Sequence, residues 1–283
     1  MRLLFVLIIV MSMVSSSCNS DGHELTIMTF NIRYDNPNDG ENRWQARIPI
    51  VQAYMDRVAP DIAGMQEVLH NQIHDLLDIM PGYSYVGVGR DDGETGGEYS
   101  PIYFRNDRFT LEDHSTFWLS ETPDAPGSRS WDAAITRIVT WAELRDRKNG
   151  NTIYVFNTHF DHRGVEARRE SVRLISHKIN EIACDTPVIM LGDFNIRKGH
   201  EDYNLMTDVF SENRLTNVEY LSLTPVTGAE STFNGFRHDI QPRVIDFIYV
   251  EQNFNVSSYR VDRVIEDGIF ISDHWPVVSV INY

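Results

Sequence analysis

The sequence predicts an α/β fold in one continuous domain, and three observations carry that prediction. Apolar runs of strand length recur along the chain at Leu25–Phe30, Asp61–Met65, Thr152–Asn157, Val188–Leu191, Val244–Val250 and Val277–Ile281. Between them lie stretches with helical spacing, such as Ile50, Val51, Tyr54, Met55 and Val58, or Val172, Ile175, Ile179 and Ile182. No low-complexity linker and no repeat interrupts the 283 residues, so one large domain fits better than two.

The first residues stand apart. Arg2, the apolar run Leu3–Met11 and then Ser15-Ser16-Ser17-Cys18 form the pattern of a secretory signal, too short in its apolar part to span a bilayer. Residues 1–17 are therefore expected to be a signal peptide. Cys18, directly after the small residues, is the expected lipidation site, although Ser15 departs from the usual lipoprotein pattern. Residues 18–24 would be a tether, and 25–283 the catalytic domain. Removing 1–17, whose single charge is Arg2, takes the formal balance from −16 to −17. Such an acidic exported chain disfavours a nucleic acid partner and favours a small phosphorylated substrate or a lipid headgroup. With one other cysteine, Cys184, an acylated Cys18 leaves no intrachain disulfide.

Along the chain, the run Leu25–Phe30 ends at Asn31, an amide where a metal ligand or phosphate donor could sit. Asp35–Asn42 has turn chemistry, and Pro49 is expected to open a helix. Trp44 fits either a lid on that helix or a substrate platform. The strand Asp61–Met65 leads to Gln66-Glu67, where a carboxylate could be a simple first-turn Glu. Gly89–Gly97 is acidic, glycine-rich and expected to be mobile. Glu98 then opens the expected strand Glu98–Phe104, which contains Tyr103, a candidate substrate contact. The long loop Phe117–Arg129 leads to Trp131, a second such candidate, and loops of that length are often functional. Arg137 opens the strand Ile138–Leu144, where it could clamp phosphate or form a surface ion pair. His159-Phe160-Asp161-His162 invites a zinc reading, but Asn157 stands where a binuclear zinc site needs another histidine.

The densest signal is Val188-Ile-Met-Leu-Gly-Asp193-Phe-Asn195. Pro187 and four apolar residues predict a buried strand, Gly192 permits a sharp exit, and Asp193 and Asn195 share a direction at period two. A carboxylate that can deprotonate water beside an amide that can hold an oxyanion suits phosphate-ester hydrolysis. Asp246 lies inside the apolar run Val244–Val250, a costly place for an unpaired charge. Ser272-Asp273-His274-Trp275-Pro276 precedes the last strand.

Taken in order, Asn31, Gln66-Glu67, Thr158-His159, Asp193 with Asn195, and Asp273-His274 resemble the endonuclease/exonuclease/phosphatase superfamily, the deoxyribonuclease I-like metal-dependent phosphoesterases. The likeness runs from about Leu25 to Tyr283. It implies a four-layer α/β (α+β) sandwich, with two mixed β-sheets packed face to face and helices outside. It further implies a magnesium-dependent phosphodiesterase or phosphatase, with manganese as a substitute. Glu67 would bind the metal with Asn31 and Asp273, while Asp193, Asn195, His159 and His274 act on water and phosphate. Asp246 would orient His274, and Glu98 would orient His159. Arg137, Trp131 and Tyr103 would contact substrate, and a monomer is expected. A secreted magnesium-dependent nuclease is the alternative activity, and a binding module without catalysis the alternative class. Export places the chain in a bacterial cell envelope, anchored through Cys18 if it is acylated and secreted otherwise.

Overall fold

The computed structural model describes residues 24–239 and 241–283. The expected signal peptide, Cys18 and the tether up to residue 23 lie outside the described residues. One sheet has seven strands in the order Thr227–Gly228, Asn255–Val261, Val277–Asn282, Glu24–Asn31, Ile62–Gln66, Ile102–Arg105 and Tyr83–Val86. The other has six, in the order Phe109–Trp118, Ile138–Asp146, Thr152–His159, Val188–Asp193, Asp246–Glu251 and Leu215–Asn217. Both mix parallel and antiparallel pairs. The two sheets pack face to face, as the resemblance implies.

The apolar runs show no polar alternation because each central strand is covered on both faces. Along Val188–Leu191, Ile189 and Leu191 join the core between the sheets, while Val188 and Met190 face helices on the far side. The same split puts Ile248 and Val250 inward and Phe247 and Tyr249 outward. Helices α1 (Trp44–Val58) and α2 (His70–Ile79) cover the seven-stranded sheet. Helices α3 (Val165–Ala183) and α4 (Glu201–Glu212) cover the six-stranded one. Among the described residues no helix is long and apolar enough to cross a membrane.

Close sheet contact depends on Gly64, where an added Cβ would lie 2.8 Å from the Asn157 side chain and 2.9 Å from Leu191. Asn157 fills that gap. It donates to the Met65 and Pro101 carbonyls and accepts from Gln66 Nε2 at 2.7 Å. This buried amide is committed to joining the sheets.

Two local expectations change. Helix α1 begins at Trp44, five residues before Pro49, which lies inside it. Trp44 is fully buried and donates to Asp75, so it packs under the fold and forms no substrate platform. The Gly89–Gly97 segment is a folded loop, because Asp92 accepts from the Glu94 and Gly96 amides and Gly89 pairs with Glu94.

Candidate active site

Three neighbouring strands of the six-stranded sheet place His159, Asp193 and Asp246 side by side. His159 is in register with Asp193 across a parallel pair, and Asp246 with Asp193 across an antiparallel pair. His274 arrives from the loop before the last strand. Its Nδ1 meets both Asp246 oxygens, at 2.9 and 3.1 Å, and its Nε2 lies 3.7 Å from Asp193 Oδ2. That loop is pinned where Ser272 Oγ donates to the Asn31 carbonyl. Asn195, one residue past Phe194, has φ 48°, a left-handed conformation held by its amide donating to Asp193 Oδ1.

The seven-stranded sheet contributes from beyond its strand ends. Glu67 directly follows the strand Ile62–Gln66 and has φ 61°. Its carboxylate accepts from Asn31 Nδ2 and from the Tyr34 amide. Asn31 Nδ2 also donates to Asp193 Oδ2 at 3.1 Å, joining the two halves of the site. Asn31 Oδ1 accepts the Arg33 amide, so the side chain braces the carboxylates through its NH2 and keeps one lone pair on its oxygen.

Glu67 and Asp273 offer carboxylate oxygens of the kind a hard divalent cation takes, and each lies 3.8 Å from Arg33 Nη1, whose charge balances them here. Asp193, Asp246 and His274 also bring ligand atoms within 4.8 Å of one another, so the buried acidic and histidine cluster can hold a metal. The zinc reading at residue 157 has no support, because Asn157 is locked between the sheets.

Charge is tuned by burial. Burial and then the Asp246 charge raise Asp193 to about 7, against the pull of His274 and Asn31. Burial alone would lower His274, but Asp246 beside it, with Asp193 and Asp273, raises it to about 10. Burial, then the charges of Arg137, Arg90 and His274, holds His159 well below its ordinary value. His159 is thus neutral and His274 cationic, two histidines split by their neighbours. His159 Nε2 accepts from Asn195 Nδ2 at 3.1 Å, and Asp193 Oδ2 at 3.3 Å matches that acceptor nitrogen only when Asp193 carries its proton.

Three expected roles do not hold. Glu98 does line the cavity, but its carboxylate is forked by Arg90 at 2.5 and 3.0 Å, while His159 Nδ1 has no partner. The loop that carries Arg90 closes on Glu98 before the histidine can reach it. Tyr103 is fully buried in the core between the sheets and does not reach the cavity. Trp131 sits at φ 55° in the long loop, away from the cavity lining. Asn195 directs its amide hydrogens to His159 and the Phe160 carbonyl, so here it orients the histidine. Asp161 shapes the loop, accepting from the Arg163, Gly164, Ala134 and Ile135 amides.

The cavity, about 520 Å³, is also lined by Arg33, Arg243 and Phe233, which the sequence did not single out. Arg33 lies two residues past Asn31, a spacing that could have flagged it. Arg243 and Phe233 meet only through the fold, guanidinium over ring at 5.2 Å.

A fold of two sheets with an acid–histidine cluster at their ends defines a phosphoesterase of the deoxyribonuclease I type. The Endonuclease/Exonuclease/phosphatase family model matches residues 28–274, and the chain belongs to that family. It is similar to an endonuclease/exonuclease/phosphatase structure from Bacteroides vulgatus, with 41% identity and TM-score 0.87, covering 92% of this chain and 98% of that one. It is also similar to the Bacteroides thetaiotaomicron mannosyl-6-phosphatase, at 34% identity and TM-score 0.84, covering 92% and 100%. An uncharacterised protein of Acanthamoeba polyphaga mimivirus is 25% identical over 254 residues, 84% of this chain and 92% of that protein.

Proposed function

We propose that this phosphoesterase is divalent-metal-dependent, with magnesium as the working ion, and hydrolyses a phosphate ester carried by a small sugar-like alcohol outside the cytoplasm. The observation that carries the reading is the meeting of Asp193, His159 and cationic His274 with the Glu67/Asp273 carboxylates in one small cavity. A volume of about 520 Å³ suits a small molecule. The likeness to a mannosyl-6-phosphatase supports a carbohydrate-borne phosphate. The formal charge of −16 opposes a polyanionic nucleic acid.

In the proposed reaction Glu67 and Asp273 would hold a divalent cation, which would supply Lewis acidity toward the phosphate. Asp193 takes the proton from the attacking water. His274, kept cationic by Asp246, donates to the phosphoryl oxygens as negative charge develops on them. His159, steadied by Asn195, closes the other side of the phosphate. A panel of sugar phosphates, a lipid headgroup phosphodiester and plasmid DNA, assayed with magnesium, manganese or a chelator, tests the reading. Sugar phosphate turnover lost in the chelator supports it; plasmid nicking as the dominant activity replaces it with the nuclease.

Export through residues 1–17 and acylation at Cys18 belong to the same proposal, supported by the apolar run and serines. Mass spectrometry of the mature amino terminus checks it. An unmodified start downstream of Cys18 removes the anchor.

A further inference from the structure

We infer that the phosphate this site takes is terminal, esterified to one alcohol only, and that the Arg137 guanidinium enforces that choice. The inference rests on the hydrolase reading above and names its substrate class more narrowly. Arg137 leads the strand Ile138–Asp146, is 5% exposed and lines the cavity. Its Nε and Nη1 are buried with no hydrogen-bond partner. The nearest carboxylate oxygen, Glu98 Oε2, lies 3.8 Å from Nη1 and is already held by the Arg90 fork. Leaving two guanidinium donors without hydrogen bonds in the interior is costly, and a 3.8 Å ion pair does not replace them. The missing partner is therefore an anion brought from outside, and the cavity is its way in.

Counting oxygens turns that anion into a specificity. A phosphodiester offers two unesterified oxygens and one negative charge; a monoester offers three and close to two. His274 and a cation at Glu67/Asp273 would serve two oxygens, while neutral His159, whose Nε2 accepts from Asn195, bounds the phosphate without supplying a charge. Arg137 serves a third, which only the monoester has. Of the other two guanidiniums lining the cavity, among the described residues, Arg33 is engaged by a carboxylate, and Arg243, only partly buried, uses its face on a ring and not its N–H donors. Arg33 is forked onto Asp39 at 3.0 Å by both nitrogens, and Arg243 lies over the Phe233 ring. Guanidinium suits this task because its planar donors match tetrahedral phosphate oxygens.

The test compares an aryl phosphate with its methyl aryl diester in the magnesium-loaded enzyme, for the native chain, Arg137→Met and Arg137→Lys. The native chain is expected to favour the monoester by at least about 10²-fold in kcat/KM, the loss typical of one charge-assisted donor. Arg137→Met should lose about 10²–10³-fold on the monoester and under about 10-fold on the diester. Competitive inhibition by inorganic phosphate should weaken in parallel, and Arg137→Lys should restore part of both. Thermal melts should show Arg137→Met little changed, because it removes two buried donors without hydrogen bonds along with a long, 3.8 Å ion pair. Equal losses on both esters, or a native preference for the diester, overturn this inference alone. Absence of turnover on either ester overturns the hydrolase reading and this inference with it.

Discussion

The two sheets build their halves of the site by different means. On the six-stranded sheet, His159, Asp193 and Asp246 occupy registered positions on adjacent strands, so the ladder fixes their separations. On the seven-stranded sheet the contributing groups lie past the strand ends. Glu67 and Arg33 both have φ 61°, and Asp273 sits in a loop tied down through Ser272 and Asn234. Such left-handed residues cost about 1–3 kcal/mol each and persist only where neighbours hold them. Ladder-held groups suit proton transfer, which tolerates little displacement. Groups held on turns would suit a cation, whose coordination tolerates more adjustment of its carboxylates.

If that division is right, damage to the ladder half cannot be repaired from solution. Asp193→Asn should cost on the order of 10³–10⁴ in kcat at any magnesium concentration, as expected for a lost general base. It keeps the side-chain volume and removes a buried charge, so the melting temperature should not fall. Recovery of activity at high magnesium would move Asp193 from the water to the metal. Next in size is His274→Ala, at about 10²–10³ in turnover. Because His274 Nδ1 is bound to Asp246 alone, the Asp246→Asn/His274→Ala double variant should be little worse than His274→Ala. Multiplicative losses would show Asp246 acting by another route.

How legible each half was follows from the same contrast. Val188–Asp193 and Val244–Val250 could be read because strands covered on both faces leave continuous apolar runs. Asp193 and Asp246 then stood out as charges at the end of, or inside, such runs. The edge strand Phe109–Trp118 went unread, since its exposed middle and its irregularity near Glu112 blur any period. Glu98 was given the wrong partner because the Arg90 pairing depends on a loop folding back, which spacing does not encode. Tyr103 looked like a pocket residue although its strand lies in the middle of the sandwich. Arg137 is legible at a strand mouth, but that its Nε and Nη1 find no hydrogen-bond acceptor is a three-dimensional fact.

The turn-held half should behave in the opposite way under magnesium. Glu67→Gln should weaken metal affinity by more than the roughly 10–100-fold typical of an outer-shell partner. At saturating magnesium its turnover should return to within about 10-fold of native, because the ladder residues remain in place. A magnesium titration of initial rates reads both numbers. A deficit that persists undiminished at saturation would erase the proposed division of labour.

The smallest effect is expected where the halves meet, at Asn31, whose NH2 donates to both Glu67 and Asp193. Asp193 stands at about 7 despite that donation, which pulls it downward. As the base, Asp193 must be ionised, so the rate should rise with pH through that value or somewhat below it, since a bound cation stabilises the carboxylate. It should then stay level until His274, at about 10, gives up its proton. Asn31→Ala removes one hydrogen bond to a charged acceptor, worth about 1.5 kcal/mol, or roughly one pH unit. The acid limb should therefore move up by about that unit, which is up to about tenfold in rate on the limb and little on the plateau. Asn31→Asp places a third carboxylate against the other two and should move the limb further in the same direction. A pH–rate profile at saturating magnesium for both variants decides it. An unmoved limb with a uniformly lower plateau would show that Asn31 serves the cation side alone and does not couple the two sheets.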